Sequence, residues 1–226
     1  MVTPLAAWLA ACLAAAAAPE RPLPLPPPPV GAAPCIACRG PALDPATAFS
    51  AGDWAALQRG AVLSGAPEEL RAPGDSAASS VAASLVERPP GEVWSVLTDF
   101  ERWPQFMPLL RETRVERREG PRLWVAQKYR VWLYPMRHTT VYQLEPELGR
   151  LEWRLDTDAP HDIVGSAGAW ELVAVDGGRA TLLRYQARID AGRAVPAFLE
   201  RMLRERSLGQ MLDGLRREVL RRFPEP

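Results

Sequence analysis

Lysine is almost missing from this chain of 226 residues: Lys128 stands alone among 27 basic residues, and the rest are arginine. Schiff-base chemistry is thereby confined to a single amine. Histidine is nearly as scarce, with His138 and His161 the only two. Net charge is also absent, because 27 acidic residues balance the 27 basic ones. A domain that grips phosphates carries a clear positive excess, so nucleic acid is not an expected partner. No G-x-S-x-G elbow, H-E-x-x-H pair, P-loop or dinucleotide fingerprint occurs. Those absences remove the recognisable hydrolase, metalloprotease and nucleotide-dependent routes. No catalytic residue, metal ligand or cofactor is expected.

Cysteine is limited to Cys12, Cys35 and Cys38. The last two are spaced C-x-x-C, but they lie between Pro34 and Pro41, away from the strand-to-helix setting that redox pairs use. Two thiols do not complete a zinc site. A local disulfide is the reading left if the chain is exported.

Export is the first positive signal. Residues 5–18 read LAAWLAACLAAAAA and carry no charge. The run is too short to span a bilayer, which takes roughly 20 apolar residues. It fits the apolar region of a secretory signal over residues 1–18, although no Lys or Arg precedes it. The alternative, an alanine-rich helix, would have nothing to pack against, because proline follows at once. Leu9-Ala10-Ala11-Cys12 also has the form of a lipobox, a second and less favoured reading. The expected location is periplasmic or extracellular.

Residues 19–53 read as a tether. Its PERPLPLPPPPVGAAP stretch favours polyproline II and cannot bury a core. Folded sequence is expected from Trp54 to the C-terminus, as one domain. Gln58 to Ser64 reads as a short strand or a helix turn, and Ser76 to Glu87 as a strand. Pro90 suits the first turn of a helix, and Val93, Val96, Leu97 and Phe100 follow at helical spacing. Pro104 and Pro108 break the next stretch into a second short helix or turn around Trp103, Phe106 and Met107.

From Leu110 to Asp190 the period changes to two. Strands are expected at 111–118, 122–133, 137–145, 150–157, 167–175 and 179–190, separated by turn residues. Asp176-Gly177-Gly178 is the firmest hairpin turn among them. Ala194 to about Arg222 then reads as one long amphipathic helix, apolar at Val195, Phe198, Leu199, Met202, Leu208, Met211, Leu212, Leu215 and Val219. A helix of that length needs a long apolar partner, which a strongly curved sheet supplies.

The stretch E-R-P-P-G-E-V-W-S-V-L-T-D-F-E-R-W-P-Q-F-M-P, Glu87 to Pro108, carries a family likeness. So do G-A-W-E-L at 168–172, T-L-L-R-Y-Q at 181–186 and L-x-x-M-L-x-x-L-R-R at 208–217. Over about residues 76–224 the chain resembles the START-like superfamily, also called SRPBCC or polyketide cyclase/dehydrase-like, and within it the coenzyme Q-binding-like branch. The resemblance implies an α+β helix-grip fold. A curved antiparallel sheet of about seven strands would wrap a long C-terminal helix, with two short helices after the first strand. It also implies a cavity between sheet and helix. Lipid carriers, hormone receptors, quinone-binding proteins and aromatases share that fold, so the occupant does not follow from it.

Strand parity assigns the lining. Trp153 shares a face with Leu151 and Leu155, Tyr129 with Leu123, Val125 and Val131, and Trp170 with Leu172. Tyr185 alternates with Arg184 and Gln186. Tyr129, Trp153, Trp170 and Tyr185 are therefore expected to point inward, toward Phe198 and Met202 on the helix. Trp103 is expected at the cavity's lid or mouth, with Phe106 nearby. These eight residues are the expected ligand-binding set. Buried Tyr and Trp want a polar partner, yet plain core packing would account for any one of them alone.

Other residues read more simply. Trp124 and Trp132 fall on a charged face, exposed or under the segment 54–63. Asp156, Asp158, His161 and Asp162 crowd one connection without the glycine and terminal glutamate of a calcium loop, so a solvated turn is expected. His138 beside Thr139 and Thr140 suits acid–base work, or a structural place in a strand. Arg216, Arg217, Arg221 and Arg222 read as a solvated helix face, contact with anionic headgroups being the alternative. The expected function is binding of a hydrophobic small molecule (a lipid, isoprenoid or polyketide-like compound) by a monomer. A cyclase or aromatase using the same cavity and a non-catalytic interaction module are the alternatives.

Overall fold

A computed structural model describes residues 49–65, 78–131, 134–190 and 207–224. The three cysteines, Trp132, Phe198 and Met202 lie outside the described residues.

Helix α1, Ala51–Gln58, begins three residues before the expected start of folded sequence. Ser50 starts it: its Oγ accepts from the Asp53 backbone N–H at 3.1 Å and donates to the Asp53 carboxylate at 2.7 Å. That exchange satisfies an otherwise unpaired donor of the first turn. The stretch Gln58 to Ser64 is split between the end of α1 and a short strand β1, Leu63–Gly65. Strand β2, Ala78–Val86, leads to helix α2, Pro90–Leu97, with Pro90 in its first turn. A 3-10 turn, Phe100–Gln105, follows.

The meander is β3 Leu110–Glu119, β4 Arg122–Val131, β5 Tyr134–Glu145, β6 Arg150–Leu155, β7 Gly165–Val175 and β8 Ala180–Asp190. At the β7–β8 turn, Gly177 and Gly178 take φ of 64° and 87°, a region open to glycine at no steric cost. Helix α3, Leu208–Arg222, closes the described chain. The eight strands form one antiparallel sheet in the order β1-β2-β8-β7-β6-β5-β4-β3. The sheet is curved and unclosed, with α3 against it, which is a helix-grip fold. The eighth strand, β1, is the one beyond the expected seven.

Two buried clusters lie on opposite faces of the sheet. The larger gathers Val93, Val96, Leu97, Phe100, Leu123, Leu151, Trp170 and Leu183 with Leu208, Leu212, Leu215 and Val219 of α3. Burying four aliphatic side chains of α3 contributes about 6–12 kcal/mol before entropy, comparable to a domain's net stability. The smaller packs Phe49 and Leu57 against Ala83, Leu85, Val173, Val175, Ala180 and Leu182, with Trp54 and Leu63 at its edge. Segment 49–65 therefore covers one end of the sheet's outer face.

Polar contacts pin α3 at its C-terminal end. Glu218 accepts from Arg221 Nε and NH2 at 2.8 and 2.7 Å and from Arg222 Nε at 2.7 Å. Arg222 also reaches Asp99 at 2.7 Å, joining α3 to the turn after α2. Those guanidinium groups, Arg221 first, hold the Glu218 carboxyl down at about 2.

Candidate ligand cavity

A cavity of about 250 Å³ lies between the sheet and α3. Register explains its walls. Trp170 of β7 stands opposite Leu151 of β6 on one side and Tyr185 of β8 on the other. Trp153 of β6 faces Tyr142 of β5 and Gly168 of β7. Odd positions of β6, even positions of β7 and odd positions of β8 thus share the inner face. Trp153 and Tyr185 stack at 5.4 Å, and Trp170 meets Tyr185 edge-on at 4.6 Å. The indole of Trp153 donates to Ser166 Oγ at 3.3 Å.

A second aromatic group joins the 3-10 turn to β5. Phe100 lies 4.9 Å from Trp103 and 4.6 Å from Tyr142, and Trp103 meets Tyr142 edge-on at 5.6 Å. Trp103 is expected at the mouth, but the structure buries it to 3 % exposure. Its indole N–H donates to the Leu97 carbonyl at 3.0 Å, so it is a fixed wall.

The wall made by β4 and β5 is polar. Gln127 is opposite His138, and Val125 is opposite Thr140. Thr140 Oγ1 donates to Gln127 Oε1 at 2.9 Å, and Gln127 Nε2 donates to the Tyr142 hydroxyl at 3.2 Å. The imidazole of His138 stacks on Tyr129 at 5.3 Å with the rings 7° from parallel. Burial lowers His138 to about 4, opposed by the charge of Asp162 and assisted by that of His161. Burial likewise raises the phenols of Tyr129, Tyr142 and Tyr185, which stay protonated. The hydroxyls of Tyr129 and Tyr185 make no hydrogen bond to a described residue.

Of the eight expected residues, Trp103, Tyr129, Trp153, Trp170 and Tyr185 line this cavity together. Phe106 does not. It lines an outer groove with Gln105, Gln210, Gly214 and Arg217, from which Met107 and Pro108 divide the cavity. The backbone turns there, so Met107 and Pro108 take the inner position expected of Phe106. Met211 of α3 also lines the cavity and is partly exposed, whereas Leu215 is fully buried. Gln127, Thr140 and Tyr142 were not expected from the sequence. Among the described lining residues there is no Asp, Glu, Lys or Arg.

Elsewhere, Trp124 is partly buried under the Arg117 guanidinium, 3.5 Å from the ring centre. Asp156 accepts from the Asp158 backbone, and Asp162 from that of Arg137. Among the described residues, no three His, Cys, Asp or Glu converge as metal ligands, and no helix is long and apolar enough to cross a membrane.

Residues 78–220 match the family described as polyketide cyclase / dehydrase and lipid transport. Curated proteins give no match. Among solved structures, the STAR-related lipid transfer protein of Xanthomonas axonopodis is similar at 17% identity and a TM-score of 0.59, over 70% of this chain and 93% of that one. The Zhui aromatase/cyclase of Streptomyces sp. R1128 is similar at 20% and 0.56, over 65% and 95%. Human StAR-related lipid transfer protein 5 is similar at 10% and 0.57, over 73% and 84%. At these identities the likeness is one of fold.

Proposed function

The chain belongs to the polyketide cyclase / dehydrase and lipid transport family, and from that premise we propose that it is a non-catalytic binder of one hydrophobic small molecule. The observation that carries this reading is the cavity itself, walled by Tyr129, Trp153, Trp170 and Tyr185. A solid core would not leave about 250 Å³ empty, since interiors pack like organic crystals with few voids larger than a water. Ligand pockets have this make-up, mostly aromatic and aliphatic with a few placed polar groups.

A cyclase would need an acid and a base together at the wall. The described lining offers His138 but no carboxylate, Asp162 acting on the ring from outside the cavity, which favours the binder. In the same reading, residues 1–18 direct export and the chain from 19 to the folded residues beginning at Phe49 tethers the domain.

The test is mass spectrometry of organic extracts from the purified native protein. A stoichiometric hydrophobic compound, reduced by Trp153→Ala at unchanged fold, supports the reading. An empty protein that also takes up no apolar probe refutes it and turns attention to an interaction module.

A further inference from the structure

We infer that the ligand is a neutral molecule whose polar end is an oxygen acceptor, a ketone above all, held by a hydrogen bond from His138; this rests on the binding reading above.

The absence of charge from the described lining is the first ground. An ionised headgroup brought into this cavity would lose its hydration and meet no opposite charge among the described lining residues, a cost no aromatic contact offsets. The second ground is the arrangement of the polar wall. Gln127, Thr140 and Tyr142 bond to one another. His138 is left over: its Nδ1 is buried with no partner, Nε2 is not shut in the same way, and the ring lines the cavity. Tyr129 covers the imidazole's face, leaving an edge to meet a ligand.

The neutral ring carries a single proton, which it places on one nitrogen or the other. Orphaned buried N–H groups are rare, and an unused lone pair is tolerated better. The proton therefore sits on Nε2, and the cavity is offered a donor. Its complement is a carbonyl, with the phenols of Tyr129 and Tyr185, which bond to no described residue, able to serve further oxygens. An apolar cavity of about 150 Å³ admits benzene, so one of about 250 Å³ suits a fused ring pair.

The experiment measures binding of naphthalene, its methyl ketone and its carboxylate to the full-length protein near neutral pH. One buried hydrogen bond predicts that the ketone binds about tenfold tighter than naphthalene. The carboxylate should bind at least about tenfold more weakly than the ketone. His138→Phe should erase the ketone's advantage and spare naphthalene, while His138→Gln, which keeps a donor, should restore part of it. A carboxylate that binds as well as the ketone overturns the neutral-ligand inference and leaves the binding reading standing. So does a ketone advantage that survives both substitutions in proteins with native circular dichroism. If naphthalene itself fails to bind, the binding reading falls, and the inference with it.

Discussion

Gly168 of β7 sits directly across from Trp153 of β6, and the indole occupies the space that a Cβ at position 168 would need. The same Cβ would also meet the Gln186 carbonyl of β8. The missing side chain is what lets the indole lie over and stack on Tyr185 at 5.4 Å. One aromatic wall therefore depends on a glycine that does not itself line the cavity.

Gly168→Ala should cost about 1–3 kcal/mol of stability, the usual range for overpacking, and should reduce ligand retention. Adding Trp153→Ala relieves the ring overlap and leaves the clash with the Gln186 backbone. The double variant should therefore remain less stable than Trp153→Ala alone. Denaturation curves of the three proteins decide it, and equal midpoints for Trp153→Ala and the double variant would discard the backbone clash.

Much of the fold was legible in the sequence because its strands have two unlike faces. Leu151, Trp153 and Leu155 share one side of β6 while Glu152 and Arg154 take the other, and parity alone turns Trp153 inward. Strand β1 was legible only as a short strand or a helix turn over Gln58 to Ser64, because three residues are too few to alternate. Helix α1 lacks a single apolar stripe, although Ser50 and Asp53 have the spacing of a cap and could have marked its start. Within the site, Gln127 lies two residues from both Val125 and Tyr129, so it shares their face by parity, yet it was not expected there. A polar residue on an apolar face reads as an interruption until its partners on the neighbouring strand, Thr140 and Tyr142, are known. The exchange of Phe106 for Met107 and Pro108 had no periodic signal to reveal it.

His138 sets one acid limit on the fold. Its folded-state value of about 4 lies below the ordinary 6.5 because burial disfavours the imidazolium. The neutral ring's stabilisation is thus complete above pH 6.5 and is lost as pH falls toward 4. The slope should amount to at most about 3 kcal/mol and should vanish from the His138→Phe protein across that window. Chemical denaturation at stepped pH measures it, and an unchanged slope would place the proton uptake elsewhere.

Glu218 acts at lower pH. The hydrogen bonds from Arg221 and then Arg222 bring its carboxyl from 4.5 to about 2. Its contribution is present above 4.5 and lost as pH falls through about 2. Arg221 is exposed, so solvent and salt reduce the effect to about 1 kcal/mol. Glu218→Gln should lower stability near neutral pH by that order and flatten the profile below pH 4.5, an effect that added salt weakens. A Gln variant with the parent's acid slope would show that the clustered arginines do not depend on this carboxylate.

The N-terminal cover should be separable from the tether. A chain starting at Thr47 keeps Phe49, Trp54 and Leu57 over the outer face and should melt with the full-length protein. A chain starting at Ala61 uncovers Leu85, Val173 and Leu182 and should melt lower and aggregate more. Matching melting temperatures for the two truncations would mean that this cluster contributes little.

Helix α3 should divide into clamp and lining. Leu212 and Leu215 are fully buried against the sheet and the α2 region. Truncating either to Ala leaves a hole with tight walls and should cost about 2–5 kcal/mol. Met211, one residue before Leu212, borders space that is already empty and is partly exposed. Met211→Ala removes less packing, because the lost methylenes and sulfur had few neighbours on the cavity side. It should therefore cost clearly less than either leucine while enlarging the cavity. The enlargement has a direction that can be measured: bulkier apolar probes should gain affinity relative to naphthalene in the Met211→Ala protein and not in Leu215→Ala. Paired denaturation curves and probe titrations on the three variants provide both readings. Three equal losses of stability with no change in probe preference would describe a helix packed on a continuous core, and the space beside Met211 would then have no role in selecting what is bound.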